Sequence, residues 1–324
     1  MKILRSLLLS VSSACLCVLY VSASAQGFPA KPIKIIVPFG PGGFTDVAAR
    51  ILQRELAPAI GQPIIVENKP GAGSTIGTTE VAKATPDGYT LVMVSTAHVI
   101  SPHLYKSMPY DPINDFTPVM KLAEGPYVLV VHPSLPVKNV TELIALARSD
   151  PNRIDYASSG NGSAQHLVGA LFTTMAKAPM NHVPYKGSSQ AMNDVIGGQV
   201  KVSFVGVPNA LPNLAVGKLK ALAVSTKKRY GDLPDVPTLD EAGVPGYDAT
   251  IWLGLLAPPG TPRDVVMKLN TSITRILSTP EAKKLMTSAG VDVATSTPEE
   301  FGALLRSELD RWGKVVRETG ATVN

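Results

Sequence analysis

Residues Ile33 to Arg50 read Ile-Lys-Ile-Ile-Val-Pro-Phe-Gly-Pro-Gly-Gly-Phe-Thr-Asp-Val-Ala-Ala-Arg and commit the chain to a strand, a tight turn and a helix. The β-branched run Ile33 to Val37 predicts a strand buried on both faces, and from Val47 apolar residues fall at helical spacing. Gly40, Gly42 and Gly43 allow backbone angles and close approaches that a side chain would block, while Thr45 and Asp46 are types that cap helices. Such a turn leaves free N–H groups at the helix start, a place for an anion. A tight turn with no ligand is the other reading of this stretch alone.

Nucleotide phosphates do not fit the spacing. A P-loop needs Gly-Lys-Ser/Thr at its end, but Gly43 is followed by Phe44 and Thr45. A dinucleotide fingerprint starting at Gly40 needs a third glycine where Thr45 stands. A small anion is favoured by a second turn of the same kind, Ser158-Ser159-Gly160-Asn161-Gly162-Ser163, between a strand over Ile154 to Ala157 and a helix over Ala164 to Met175. Two such turns suit a ligand held between facing helix N-termini at the strand ends, where open α/β sheets bind ligands.

The chain opens Met-Lys-Ile-Leu-Arg, continues with an apolar run from Ser6 to Val21, and reaches Ala23-Ser24-Ala25. A basic start, an apolar middle and an Ala-x-Ala site predict a signal peptide over 1–25, cleaved after Ala25, and export to the periplasm. Cys15 and Cys17, the two cysteines of the chain, leave with it, so the mature chain has no disulfide, thiol nucleophile or thiolate metal ligand. Loss of Lys2 and Arg5 leaves 28 basic against 25 acidic residues, a formal +3, which suits a small anion and is too diffuse for nucleic acid. A mature length of roughly 300 residues exceeds one typical core and points to two lobes.

Strands alternate with helices, as in Pro63 to Asn68, a helix from about Thr75 to Ala84 and a strand over Thr90 to Val94, which predicts a parallel sheet with right-handed crossovers. The extended segment Phe116 to Val131 is the expected first crossing between lobes, and Tyr247 to Ala257 the return. The expected lobes are 26–122 with 249–324, and 123–248. Ser95 and Thr96, at a strand end, are candidate wall residues. The last helix, Pro298 to about Glu318, carries Phe301, Leu304, Leu305, Trp312, Val315 and Val316 on one face, a core stripe.

His98, His103, His132, His166 and His182 show no metal-ligand spacing, and neither metal nor cofactor is expected. His166, just past the second turn, is either a ligand contact or a core histidine. Ser163 with His166 invites a hydrolase reading, but Gly-Asn-Gly-Ser-Ala is not a nucleophile elbow, and no catalytic residue is assigned. Lys186 is a ligand contact or a solvated rim charge. Phe44 packs on a flat ligand or within its helix, and Trp252 lines the cleft or packs the crossing.

Seven stretches in order carry a resemblance: residues 37 to 50, Glu-Asn-Lys-Pro-Gly-Ala-Gly-Ser-Thr-Ile-Gly (67 to 77), Pro-Asp-Gly-Tyr-Thr-Leu (86 to 91), Tyr-Ala-Ser-Ser-Gly-Asn-Gly-Ser (156 to 163), Val-Pro-Tyr-Lys-Gly (183 to 187), residues 233 to 247, and Ala-Pro-Pro-Gly-Thr-Pro (257 to 262) with Lys-Leu-Asn (268 to 270). Together they resemble the periplasmic solute-binding receptors of tripartite tricarboxylate transporters, the Bug or TctC type.

The resemblance implies an α/β, two-lobed periplasmic-binding-protein fold, a type II Venus flytrap with two crossover strands. It further implies capture of a di-, tri- or aromatic carboxylate and delivery to membrane permease subunits, by a chain expected to act as a monomer. A ligand-presenting role toward a membrane sensor remains the alternative, and a periplasmic enzyme a remote one. Carried over, the carboxylate grip consists of Phe39, Gly40, Gly42, Gly43, Phe44, Thr45 and Asp46 with Ser158, Ser159, Gly160, Gly162 and Ser163. Asp46 is expected to cap the helix and orient a water. One departure concerns Val205-Gly206, where family members commonly carry Phe-Asp after the strand. Val205 joins the candidate site on that ground, and the lost carboxylate disfavours an amino-acid ligand, whose ammonium needs an anionic partner.

Overall fold

The structure, a computed structural model, describes residues 27–150, 154–161, 163–185 and 187–319. The expected signal peptide with Cys15 and Cys17, the turn residue Gly162 and Lys186 all lie outside the described residues.

Strand β1 (Ile33–Val37) leads into α1 (Phe44–Ile60), β2 (Ile64–Asn68), α2 (Thr75–Ala82), β3 (Thr90–Ser95), α3 (Ala97–Leu104) and β4 (Thr117–Gly125). The second part runs β5 (Tyr127–Val131), α4 (Val140–Ser149), β6 (Asp155–Ser158), α5 (Ala164–Met175), β7 (Asn181–Pro184), α6 (Ser188–Ile196), β8 (Val202–Gly206), α7 (Val207–Ala215) and β9 (Lys220–Val224). The chain then returns through β10 (Ile251–Ala257), α8 (Arg263–Leu277), α9 (Pro280–Ser288), β11 (Asp292–Val293) and α10 (Pro298–Thr319). The first sheet has the order β11-β4-β10-β3-β1-β2 and the second β7-β6-β8-β5-β9, giving the two lobes of a type II binding-protein fold.

Parallel pairing holds for β1 with β2 and β3, and for β6 with β7 and β8. The sheets as wholes are mixed, which corrects the expectation of a parallel sheet. Strand β10 runs antiparallel between β3 and β4, and β5 antiparallel between β8 and β9. These are strands that enter from the other lobe, so they run against the local βαβ direction.

Helices α3, α7 and α9 were not expected from the sequence. Pro102 and Pro212 lie inside the first two, and Pro280 opens the third. Proline lacks the N–H that a helix interior needs, so the first two segments carry a loop signal that packing overrides, whereas Pro280 stands at the first turn, where that N–H is not needed. Helix α1 also begins earlier than its periodicity shows, at Phe44 with Gly43 as N-cap.

The last helix bears the expected stripe. Phe301, Leu305, Trp312, Val315 and Val316 are buried, and Leu304 packs against them. Helix α10 lies on α3 and β4 of the first lobe and on α5 of the second, so one core cluster runs through both. The crossings are also tied by backbone. Ser225 is fully buried, accepts the Tyr127 N–H at 2.9 Å and donates to the Ala249 carbonyl at 2.8 Å, clipping the outgoing and returning chains together. At Gly125 a Cβ would stand 2.8 Å from the Gly290 carbonyl, so glycine is required where β4 passes the loop before β11.

Candidate functional site

A cleft of about 890 Å³ opens where the strand ends of the two sheets face each other. From the first lobe come the turn after β1 (Pro38 to Thr45), the turn after β2 (Pro70, Gly71, Gly73, Ser74), and Ser95 and Ala97 after β3. From the second come Ser159, Asn161 and Ser163 to Gln165 after β6, Gly187 to Gln190 after β7, and Gly206 with Asn209 after β8. Pro126, Tyr127 and Ile251 of the crossings and Ser288 to Val291 complete the wall. Among these lining residues there is no Asp, Glu, Lys, Arg or His.

Among the described residues, the polarity of the cleft wall therefore comes from backbone and neutral side chains. Helices α1, α5, α6 and α7 each bring an N-terminal turn to it. The first amides of a helix have no carbonyl partner within it and carry the positive end of the macrodipole. Facing amides from two lobes, with the hydroxyls of Thr45, Ser159 and Ser163, can hold a carboxylate without a cationic side chain.

Of the residues anticipated from sequence, the structure brings Phe39, Gly40, Gly42, Gly43, Phe44, Thr45, Ser95, Ser159 and Ser163 to the cleft wall. Asp46, Thr96, Ser158, Gly160, His166 and Val205 are not on it, and each has a local reason. Asp46 is buried inside the first turn, where its carboxylate accepts from Gly42 N at 2.9 Å, Arg50 Nε at 3.0 Å and Asn68 Nδ2 at 2.8 Å. Burial pushes its pKa up, but Arg50, the Gly42 N–H and Asn68 outweigh it and hold the carboxyl below its usual value. Asp46 thus braces the turn from inside, three residues past the Gly43 N-cap, rather than facing the cleft. The Asn68 amide also donates to the Phe39 carbonyl at 3.1 Å, joining the turn to the end of β2.

The Thr96 hydroxyl oxygen accepts the Trp252 backbone N–H at 3.1 Å, so it clips the return strand. The Trp252 side chain packs edge-on against Phe301 in the core. Ser158 is fully buried, with its hydroxyl 2.6 Å from His182 Nε2 and within 3.1 Å of the Gly160 backbone. His166 stacks on His182 with ring centroids 3.8 Å apart, beneath the second turn. Burial lowers His166 to about 4, and burial plus the adjacent His166 lowers His182 to about 3, so both rings are neutral at neutral pH. Ser163 caps α5 by accepting the His166 N–H at 3.2 Å. Val205 is buried in the second lobe's core, and its neighbour Gly206 is the residue that reaches the cleft.

The walls at Pro70 to Ser74 and Gly187 to Gln190 were not anticipated. Both follow the strand, small-residue turn, helix pattern of the two turns that were, and that repetition is the signal that could have found them. Asn209 lies in a helix hidden by its prolines, and Ser288 to Val291 run from the last residue of α9, also missed, into the loop after it; these carry no such signal. Among the described residues no group of three or more His, Cys, Asp or Glu side chains is placed to hold a metal ion, and no helix is long and apolar enough to cross a membrane.

Comparison with known proteins agrees with the fold and with the resemblance read from the motifs. A solved structure of the periplasmic binding protein BugD is 36% identical, with a TM-score of 0.83 over 91% of this chain and 99% of that one. An R. palustris protein solved with adipate is 36% identical, with a TM-score of 0.85 over 92% of this chain and all of the other. MatC from Rhodopseudomonas palustris, solved with bound malate, is 36% identical, with a TM-score of 0.81 over 89% of this chain and all of the other. The family model described as tripartite tricarboxylate transporter family receptor matches residues 48–321. This chain belongs to the tripartite tricarboxylate transporter receptor family.

Proposed function

We propose that this protein is a periplasmic receptor that captures a small carboxylate between its lobes and passes it to the permease subunits of a tripartite transporter. The observation that carries the reading is a cleft with no charged residue among its described lining and helix N-termini presented from both lobes. Such a lining favours an anion that backbone amides and hydroxyls can hold, and disfavours a cation or ammonium, which needs a carboxylate partner. Gly206 stands where an acidic side chain would have met an ammonium. Adipate and malate in related structures support the same ligand class.

In this reading the mature chain begins after Ala25, residues 26–122 and 249–324 move as one lobe and 123–248 as the other, and closure bends the two crossings. The grip is formed by the walls Phe39 to Thr45 and Ser159 to Gln165, with Asp46, Ser158 and His182 fixing the turns from behind. A hydrolytic role gains no support from the Ser158 and His182 pair, because that hydroxyl is fully buried and off the cleft wall.

The test is a thermal-shift panel on residues 26–324 with mono-, di-, tri- and aromatic carboxylates, and with amino acids and sugars as controls. A ligand that binds only the folded state should add about 2.7 kcal/mol at about 100 times its dissociation constant. Shifts confined to carboxylates are expected, with the acid recovered unchanged. A response to sugars or amino acids alone would sink the reading.

A further inference from the structure

Gln165 is the second residue of α5 and is 5% exposed, yet its side chain reaches back off its own helix to two strands. Its Oε1 accepts the Ser159 N–H at 2.9 Å, just past the end of β6, and its Nε2 donates to the Phe204 carbonyl at 2.8 Å, in β8. The orientation of the amide is fixed by its partners, since the flipped form would set NH2 against N–H and carbonyl against carbonyl. Two residues beyond Phe204, Gly206 enters the cleft wall and α7 begins. One side chain thus joins three parts of the second lobe that face the ligand: the turn after β6, the N-terminus of α5 and the end of β8.

The first turn has the same kind of brace, assembled from more parts. There Asn68 spans the Phe39 carbonyl and the Asp46 carboxylate, and Asp46 takes the Gly42 N–H with Arg50 balancing its charge. In both lobes a buried side chain takes up one turn N–H and ties the turn to a neighbouring strand. The ligand is then left with the amides at the helix starts. In the second lobe a single neutral residue does this, so the brace itself brings no charge that needs a counterion.

We propose that Gln165 is a positioning residue for ligand capture. Its amide sets the spacing between the second turn and the Gly206 wall, and it removes the Ser159 N–H from the donors offered to the anion. This inference rests on the carboxylate reading above.

The experiment is calorimetric titration of malate and adipate, or the strongest acid of the panel, into wild type, Gln165→Met and Gln165→Glu at temperatures where each is folded. Wild type that takes no carboxylate overturns the reading beneath, and this inference with it. Given wild-type binding, Gln165→Met keeps the size and loses both hydrogen bonds, and its dissociation constant should rise about tenfold or more. A purely structural role would lower the melting temperature and leave the affinity of the folded protein unchanged, so a Gln165→Met affinity within about twofold of wild type overturns the proposal.

Gln165→Glu supplies a second readout. Ionised, the introduced carboxyl keeps an acceptor for Ser159 but faces the Phe204 carbonyl without a proton; protonated, it restores both bonds. The ratio of its affinity to that of wild type at the same pH should therefore recover as pH falls from 8 to 5, a ratio that cancels the protonation of the acid itself. Among the described residues, the stacked pair His166 and His182, lowered by burial to about 4 and about 3, stays largely neutral over that range. A Gln165→Glu loss that is constant with pH also overturns the proposal.

Discussion

A Gly43→Asp protein should lose carboxylate affinity by at least a few hundredfold while melting no lower than wild type. Gly43 is the N-cap of α1, with extended backbone at φ −76° and ψ 161°, and no side chain caps the helix there. A Cβ at this position meets only the Gly40 carbonyl, at 3.9 Å, so the substitution is free of clash. Aspartate is among the best N-caps and glycine only slightly worse, so stability should hold or rise by a few tenths of a kcal/mol. Yet the same residue lines the cleft. A fixed carboxylate there competes for the amides that would hold the ligand. It also repels a ligand carboxylate about 5 Å away by about 3 kcal/mol at an effective dielectric of about 20. Gly43→Asn is the control, with the same size and capping but no charge, and should lose about tenfold at most. Titration calorimetry with parallel melting curves reads both quantities. Affinity of Gly43→Asp within about tenfold of wild type would remove the first turn from the grip.

The second large effect concerns stability. Trp312 is 1% exposed at the centre of α10, and its indole donates to Glu308 Oε2 at 2.9 Å, while Arg311 Nη1 donates to Glu308 Oε1 at 2.9 Å. Arg311 also reaches the Asp248 carbonyl of the return loop. Trp312→Ala should destabilise the protein by about 3–5 kcal/mol, from lost transfer free energy and the cavity left behind. It also leaves a buried carboxylate oxygen without its donor, which places the expected value toward the upper end. Trp312→Phe, which fills part of the space but lacks the N–H, should fall between. Urea denaturation followed by circular dichroism measures the difference, and a Trp312→Ala loss below about 1 kcal/mol would show that α10 is not a core element of both lobes.

The sequence made the strand, turn and helix units visible wherever small residues separate a β-branched run from a helical period. Strand β1 and helix α5 have the boundaries expected from that logic, and the α10 stripe was plain because its spacing runs over about four turns of one helix. Strand direction was not visible. Strands β5 and β10 are fully buried runs, Tyr-Val-Leu-Val-Val and Ile-Trp-Leu-Gly-Leu-Leu-Ala, which look like parallel strands in sequence. Their antiparallel pairing depends on which lobe the chain arrives from, a property of the whole path.

At the site, the positions of the two turns were legible but the direction of each polar side chain was not. Asp46, Thr96, Ser158 and His166 lie within a residue or three of the cleft in sequence, and all four turn inward. Buried backbone amides in a tight turn need partners, and the nearest polar side chains supply them before any ligand does. Gln165, which sequence reading passed over, shows the same rule from the other side, since its reach to Phe204 depends on a strand 39 residues away.

A diffraction structure of residues 26–324 with the acid that gives the largest thermal shift tests the two-turn grip most directly. One carboxylate of that acid should lie within hydrogen-bond distance of donors from both Phe39 to Thr45 and Ser159 to Gln165, with no charged side chain beside it. An acid bound elsewhere, or held by one lobe alone, would contradict the two-turn grip.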